Sequence, residues 1–316
     1  MNIPVFDLHC DTALALLGKS LRECGSLKTN EYHVALDRTT GFGGYAQCFA
    51  CFTSEEAPYG RINPVELFER EMVSVLREVD KHSDLISLAY NADDVEKNAA
   101  SGKASAILTI EGPAGVGYDP ALLQDLYAVG FRVTTLGWND RNPLTGSHLT
   151  GGGLTDLGRE YVKEAQNLGM IIDVSHISDE AFMDILEISE QPIIASHSNS
   201  RSTFHHTRNL TDEMFFLICQ NGGVAGLNMY TGFLGENADL DTACDHIFHW
   251  LEIDPEGRHI ALGCDLDGCD SLPEGFFGVQ DYPTLADRLI ARGLSLELVK
   301  NIFWNNAIGV FRKCCT

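Results

Sequence analysis

No stretch of this sequence reaches the ~18 apolar residues of a membrane-spanning helix, and basic residues are scarce. Lys and Arg number 22 against 45 Asp and Glu, a net charge of −23. That balance repels phosphate backbones and anionic lipid, so neither nucleic acid nor membrane is expected as a partner. The acidic surplus is spread along segments such as Glu66 to Asp80, as on a solvated surface, and is not gathered in a tail. The opening MNIPVFDLHCD has neither the basic stretch nor the apolar core of a secretion leader, and a cytoplasmic location is the expectation. Ten cysteines in 316 residues follow no disulfide spacing and read as reduced thiols. The CxxC of Cys48 and Cys51 lies inside YAQCFACF with no second pair nearby, which reads as strand and not as a zinc knuckle or redox pair. Two further motifs are missing. No GxGxxG follows the first apolar run and no GxSxG occurs, which argues against a dinucleotide fold and a serine-hydrolase elbow.

What is present is alternation. Apolar runs of strand length at 4–9, 45–52, 104–110, 131–136, 170–175, 192–196, 223–229 and 259–264 predict eight strands. Amphipathic segments predict helices at 63–82, 120–129, 155–168, 178–189, 211–221, 239–252 and 282–292, with a C-terminal pair beyond. Thr155, Ser178 and Thr211 stand at N-cap positions, and Gly130, Gly169 and Gly222 at C-cap positions. Runs such as AILTI and MIIDV are apolar throughout, as buried parallel strands are. The pattern predicts an α/β fold, a (β/α)8 TIM barrel, with a doubly wound open sheet as the alternative. With no repeat, linker or low-complexity tract, residues 1–316 read as a single domain with a C-terminal helical extension.

In such barrels the chemistry sits where strands end. The string DLHCD places His9 and Asp11 two apart after the first run, on one face of a strand. Glu111 ends LTIEG, His176 ends DVSH, His197 follows in ASHS, and Asp265 ends LGCD. One such residue is more often a turn or cap, but six at the ends of five apolar runs predict a shared metal centre. Three imidazoles with carboxylates suit zinc or a similar first-row ion, and five ligands serve two metals sharing a carboxylate better than one. The remaining histidines read as ordinary: His246 and His249 on a helix, His33, His82, His148 and His259 away from strand ends, and His205 and His206 in a loop or a supporting role.

With these residues assembled, the chain resembles the renal or membrane dipeptidase family of metallopeptidases, within the metal-dependent amidohydrolase barrels. The matching strings are DLHCD at 7, IEG at 110, DVSH at 173, SHSNSR at 196, RNLTDE at 208, GCDLDG at 263 and NNAIGVF at 305. The resemblance implies two zinc ions, with His9 and Asp11 on one, His176 and His197 on the other, and Glu111 bridging them. It implies a proton-transfer and amine-binding role for Asp265, and substrate-carboxylate binding by Arg208, while Arg201 falls outside the matching string. It also implies a dipeptide substrate, including those with a D- or dehydro-residue at the C-terminal position, cleaved by a water bridging the two ions. A homodimer is expected on the same ground.

One position departs. Many relatives carry a histidine where TTLGWND places Trp138, so Trp138 is a candidate substrate contact and the electrophilic role passes to the metal or to Asn139. Two alternatives stand beside the dipeptidase reading. One is a hydrolase of the same barrel acting on a lactam, cyclic amide or N-acyl amino acid. The other is a non-catalytic metal-binding barrel.

Overall fold

The computed structural model describes residues 2–21, 25–55 and 62–316. Among the described residues nine parallel strands run β1 (Val5–Cys10), β2 (Tyr45–Phe52), β3 (Ile86–Leu88), β4 (Ala104–Glu111), β5 (Phe131–Thr135), β6 (Ile171–Asp173), β7 (Ile194–Ala195), β8 (Val224–Leu227) and β9 (Ile260–Leu262). The sheet order β2-β1-β9-β8-β7-β6-β5-β4 is closed by pairing of β2 with β4, so eight strands form a barrel. All eight predicted runs are barrel strands, several of them shorter than their apolar stretches.

Strand β3 and the helix after it, Ala92–Ala100, lie outside the predicted segments. Strand β3 is three residues long and pairs with Ala104 to Ala106, the half of β4 that precedes its pairing with β5 from Leu108 onward. It is therefore an outlier beside the barrel, too short for a periodic signal.

The helices are α1 (Thr12–Leu16), α2 (Pro64–Lys81), α3 (Ala92–Ala100), α4 (Leu123–Val129), α5 (Asp156–Leu168), α6 (Asp179–Ile188), α7 (Asp212–Asn221), α8 (Thr231–Leu234), α9 (Leu240–Ile253), α10 (Tyr282–Ala291), α11 (Leu296–Lys300) and α12 (Asn306–Cys314). Helices α2, α4 to α7, α9 and α10 fall on predicted segments and α11 and α12 form the C-terminal pair, whereas α1, α3 and α8 lie outside every predicted segment. Thr155, Ser178 and Thr211 each accept the N–H three residues on, and Gly169 and Gly222 close α5 and α7 in the left-handed region that favours glycine. None of the described helices is long and apolar enough to cross a membrane.

Two apolar layers hold the barrel. The larger lies between strands and helices. The smaller takes residues from all eight barrel strands, among them Phe6, Ile107, Val133 and Val224, together with Ile308 and Phe311 of α12. A cluster fed by every strand is the barrel interior, so α12 packs against it and Phe6 meets the Phe311 ring at 5.1 Å. Each such ring burial is worth roughly 2–3 kcal/mol. Cys48 lies in this inner cluster and Cys51 in the outer one, because a spacing of three in a strand puts side chains on opposite faces. The CxxC is no pair.

A bulge in β1 prepares the site. Asp7 pairs with Gln47 and Cys10 with Phe49, so three steps of β1 answer two of β2. Phe6 and Leu8 belong to the inner layer, whereas Cys10 returns to the outer layer with Val5. The slip changes which residues face inward just before the barrel mouth. It leaves His9 and Asp11 on the side where the other strand ends converge.

Candidate metal centre

The six predicted residues meet at the C-terminal ends of β1, β4, β6, β7 and β9. His9 Nε2 lies 3.4 Å from Asp11 Oδ2, 3.3 Å from Glu111 Oε2 and 3.8 Å from Asp265 Oδ1. On the other side, Glu111 Oε1 lies 3.1 Å from His176 Nε2 and 3.7 Å from His197 Nε2. The two oxygens of one carboxylate thus face two separate sets of donors. His9, Glu111 and His197, and likewise His9, Asp11 and Asp265, offer ligand atoms within 4.8 Å of one another, all in buried residues.

The atoms around the centre fix its donors. Ser196 Oγ donates to Asp173 Oδ2 and lies 2.6 Å from His197 Nδ1, so that ring nitrogen carries the hydrogen. Asp173 is itself held by the Ser175 and Ser196 N–H groups at 2.9 Å each. Asn139 Oδ1 lies 3.0 Å from His176 Nδ1. Both rings are thereby left with bare Nε2 atoms, which face each other at 2.9 Å. Two lone pairs at that distance repel, and a cation between them removes the repulsion. His9 Nε2 is buried without a hydrogen-bond partner. The donor set fits divalent metal of the zinc class. The contact between Ser196 and His197 makes no nucleophile, since the serine is buried and serves to orient the ring.

Charge follows the same division. Burial lowers the pKa of His176, aided by the charges of Arg208 and His9, and lowers that of His197 with the same two charges in the opposite order, so both stay neutral as ligands must. Burial would lower His9 too, but the Glu111 and Asp11 carboxylates raise it well above its ordinary value. Burial and the Glu111 charge raise Asp11 to about 6, against the pull of His9. Burial raises Asp265 to about 7, with His9 opposing and Asp11 and Glu111 adding to the rise. These protons compete with a metal, and the competition strengthens as pH falls. Metal affinity is expected to weaken about fourfold between pH 7.5 and 5.5 from Asp11 alone, and further through His9. Titration with zinc across that range checks this, and a pH-independent affinity contradicts it.

The backbone here is unusual. His176, Asp265 and Asp267 have φ of 70°, 60° and 67°, a region that non-glycine residues seldom occupy. Next to them Gly268 is obligatory, since a Cβ there would stand 2.0 Å from Asp11 Oδ2 and 2.5 Å from Asp265 Oδ1.

Above the centre opens a cavity of about 320 Å³, lined by Asp11, Glu111, His176 and Asp265 and walled by Phe52, Trp138, Asn139, Tyr230 and Phe233. Trp138 therefore sits in the cavity wall, its ring edge-on to Phe52 at 5.0 Å. Arg208 is buried beside these side chains, and NH1 donates to Ser198 Oγ at 2.6 Å while Nε and NH2 have no partner. Burial pushes its pKa down to about 10 against the pull of Asp265, Asp173 and Glu111. Arg201, by contrast, is fully engaged: it grips Asp179 with both terminal nitrogens and donates to the Asn209 and Thr207 carbonyls.

Three residues passed over in the sequence belong here. His148, read as ordinary, packs 6.3 Å from the His176 ring. Asn228 Nδ2 donates to Asp265 Oδ2 at 3.0 Å, and Tyr230 lines the cavity. Asn228 and Tyr230 follow β8, a strand whose end carries no histidine or acid, so no metal-ligand search could have found them. His33 is also more than a loop residue: its N–H and Nδ1 bind the Asp267 carboxylate and N–H.

The model of the membrane dipeptidase family, peptidase family M19, matches residues 1–316. An uncharacterized dipeptidase of Schizosaccharomyces pombe is 33% identical over 233 residues, 72% of this chain and 57% of its own. Dipeptidase tcpJ of Claviceps purpurea is 31% identical over 247 residues, 75% of this chain and 57% of its own. The chain thus spans less than two thirds of the length of these curated relatives. Among solved structures, a metallo peptidase from Rhodobacter sphaeroides, liganded with a phosphinate mimic of the dipeptide L-Ala-D-Ala, superposes with a TM-score of 0.90 at 27% identity, covering 99% of this chain and 100% of that one. Dipeptidase AC of family M19 gives 0.89 at 28% identity, covering 100% and 99%.

Proposed function

The chain belongs to the membrane dipeptidase family, peptidase family M19, and we propose that it is a binuclear zinc dipeptidase whose substrates include dipeptides with a D- or dehydro-residue at the C-terminal position. One arrangement carries this reading: Glu111 stands between two donor sets, with the incompletely satisfied guanidinium of Arg208 buried beside them. His9 and Asp11 would hold one ion and His176 and His197 the other, with Glu111 shared. Bound there, the metals would supply an acidified water and polarise the peptide carbonyl.

The rest falls to the protein's own groups. Arg208 presents Nε and NH2 without partners, a fork that matches a carboxylate bidentately. Satisfying those buried donors would give the substrate's C-terminus a strong hold and restrict substrates to short ones. Asp265 is held by Asn228 through one oxygen and turns the other toward His9, so it is placed to accept a proton and return it to the leaving amine. Its raised pKa suits both directions of transfer near neutrality; a bound cation would draw it back down. Phe52, Trp138, Tyr230 and Phe233 would enclose the substrate and limit water.

The liganded Rhodobacter relative supports the choice of dipeptide, since the compound it holds mimics L-Ala-D-Ala. The rival, an N-acyl or cyclic-amide hydrolase, leaves Arg208 and Asp265 without a pair of charged ends to bind. The decisive comparison is zinc-loaded protein on Ala-D-Ala, N-acetyl-Ala-D-Ala and Ala-D-Ala amide. Blocking either end is expected to reduce kcat/KM roughly 100-fold or more, because a desolvated charge is left unpaired. Equal turnover of the blocked compounds would replace the dipeptidase reading by the rival.

A further inference from the structure

His148 holds the metal-facing residue His176 twice. Its backbone N–H donates to the His176 carbonyl at 2.8 Å, beside an antiparallel bridge between Ser147 and Ile177. Its ring Nε2 lies 3.0 Å from Asn139 Oδ1, the oxygen that also meets His176 Nδ1 at 3.0 Å. Its other nitrogen, Nδ1, lies 2.9 Å from Thr207 Oγ1. Thr207 is exposed and directly precedes Arg208.

The protons on this chain can be assigned. An amide oxygen only accepts, so His176 Nδ1 and His148 Nε2 both carry hydrogens, and the bare His148 Nδ1 accepts from the Thr207 hydroxyl. Turning the Asn139 amide over would require both ring nitrogens to be bare and would place a proton on His176 Nε2, where a cation has to bind. Only the first assignment leaves His176 Nε2 bare and ready as a ligand. His176 also needs the support, because its φ of 70° is one an isolated chain seldom adopts.

We propose that His148 is a positioning residue: through Asn139 it fixes the tautomer and aim of His176, and through Thr207 it ties that ligand to the segment carrying Arg208. This rests on the metal-centre reading given above. By it, the grip on the substrate carboxylate and the geometry of one metal site are joined by a continuous run of hydrogen bonds.

The test compares full-length wild type with His148→Phe, His148→Gln and Thr207→Val, each stripped and reloaded with Co2+, whose visible bands report ligand geometry. Phenylalanine keeps the ring volume and loses both polar atoms, whereas glutamine keeps one donor and one acceptor. His148→Phe is expected to weaken Co2+ affinity about 10- to 100-fold, the usual effect of removing an outer partner of a ligand, and to shift the bands. His148→Gln should restore affinity to within about threefold of wild type. Thr207→Val, at an exposed position, should shift the bands in the same direction. His148→Phe with wild-type affinity and bands would overturn this proposal alone, as would a Gln variant as impaired as Phe. A Thr207→Val spectrum identical to wild type would overturn the tie to the Arg208 segment. Wild-type protein that takes up no Co2+ would overturn the metal-centre reading and this proposal together.

Discussion

Glu111→Gln is expected to strip the centre of metal and abolish hydrolysis. The substitution keeps the shape of the side chain and removes the one charge that faces both donor sets, His9 at 3.3 Å and His176 at 3.1 Å. Altering partners of metal ligands, which never touch the ion, costs about 10- to 100-fold in affinity, so loss of a shared ligand should cost roughly 100-fold or more. The fold should not suffer. Without metal, Glu111 repels Asp11 and Asp265 but attracts His9, so neutralising it removes effects of opposite sign that offset one another. Metal content by elemental analysis, dipeptide turnover and a melting curve of the stripped protein read these effects separately. A Gln variant that binds two ions per chain would remove the bridging role.

Asp265→Asn is expected to do the opposite: keep the metal and lose turnover by about 100- to 10,000-fold, the usual contribution of a placed proton carrier. The structure makes this discriminating, because Asp265 lies close enough to His9 and Asp11 to belong to a ligand set. As a ligand it would carry metal away when substituted; as a proton carrier it would not. Backbone strain does not confuse the result, since asparagine tolerates the φ of 60° at this position better than most residues. Asn228 can still donate to the amide oxygen that replaces Oδ2. Near-normal turnover would end the proton-transfer assignment, and loss of an ion would make Asp265 a ligand.

Barrel strands were legible because parallel strands buried on both faces leave continuous apolar runs, as AILTI does in β4. Strand β3 was not, since three residues paired along half of one edge leave no period to detect. The centre was legible for a related reason: a histidine or acid directly after an apolar run marks a strand end, and His9, Glu111, His176, His197 and Asp265 all do so. His148 has no such mark. It lies in the long connection between β5 and α5, and only folding brings it to His176.

By itself, then, the sequence determined the chemical kinds of group available and the barrel that would gather them, because residue type and local period are properties of neighbouring positions along the chain. Tertiary structure alone decided how they act. The bulge that aims His9, the two faces of Glu111, the unsatisfied nitrogens of Arg208 and the link from Thr207 through His148 to His176 depend on distances between residues far apart in the chain. No local pattern encodes such distances; they are set by strand register and by the packing of loops at the barrel mouth.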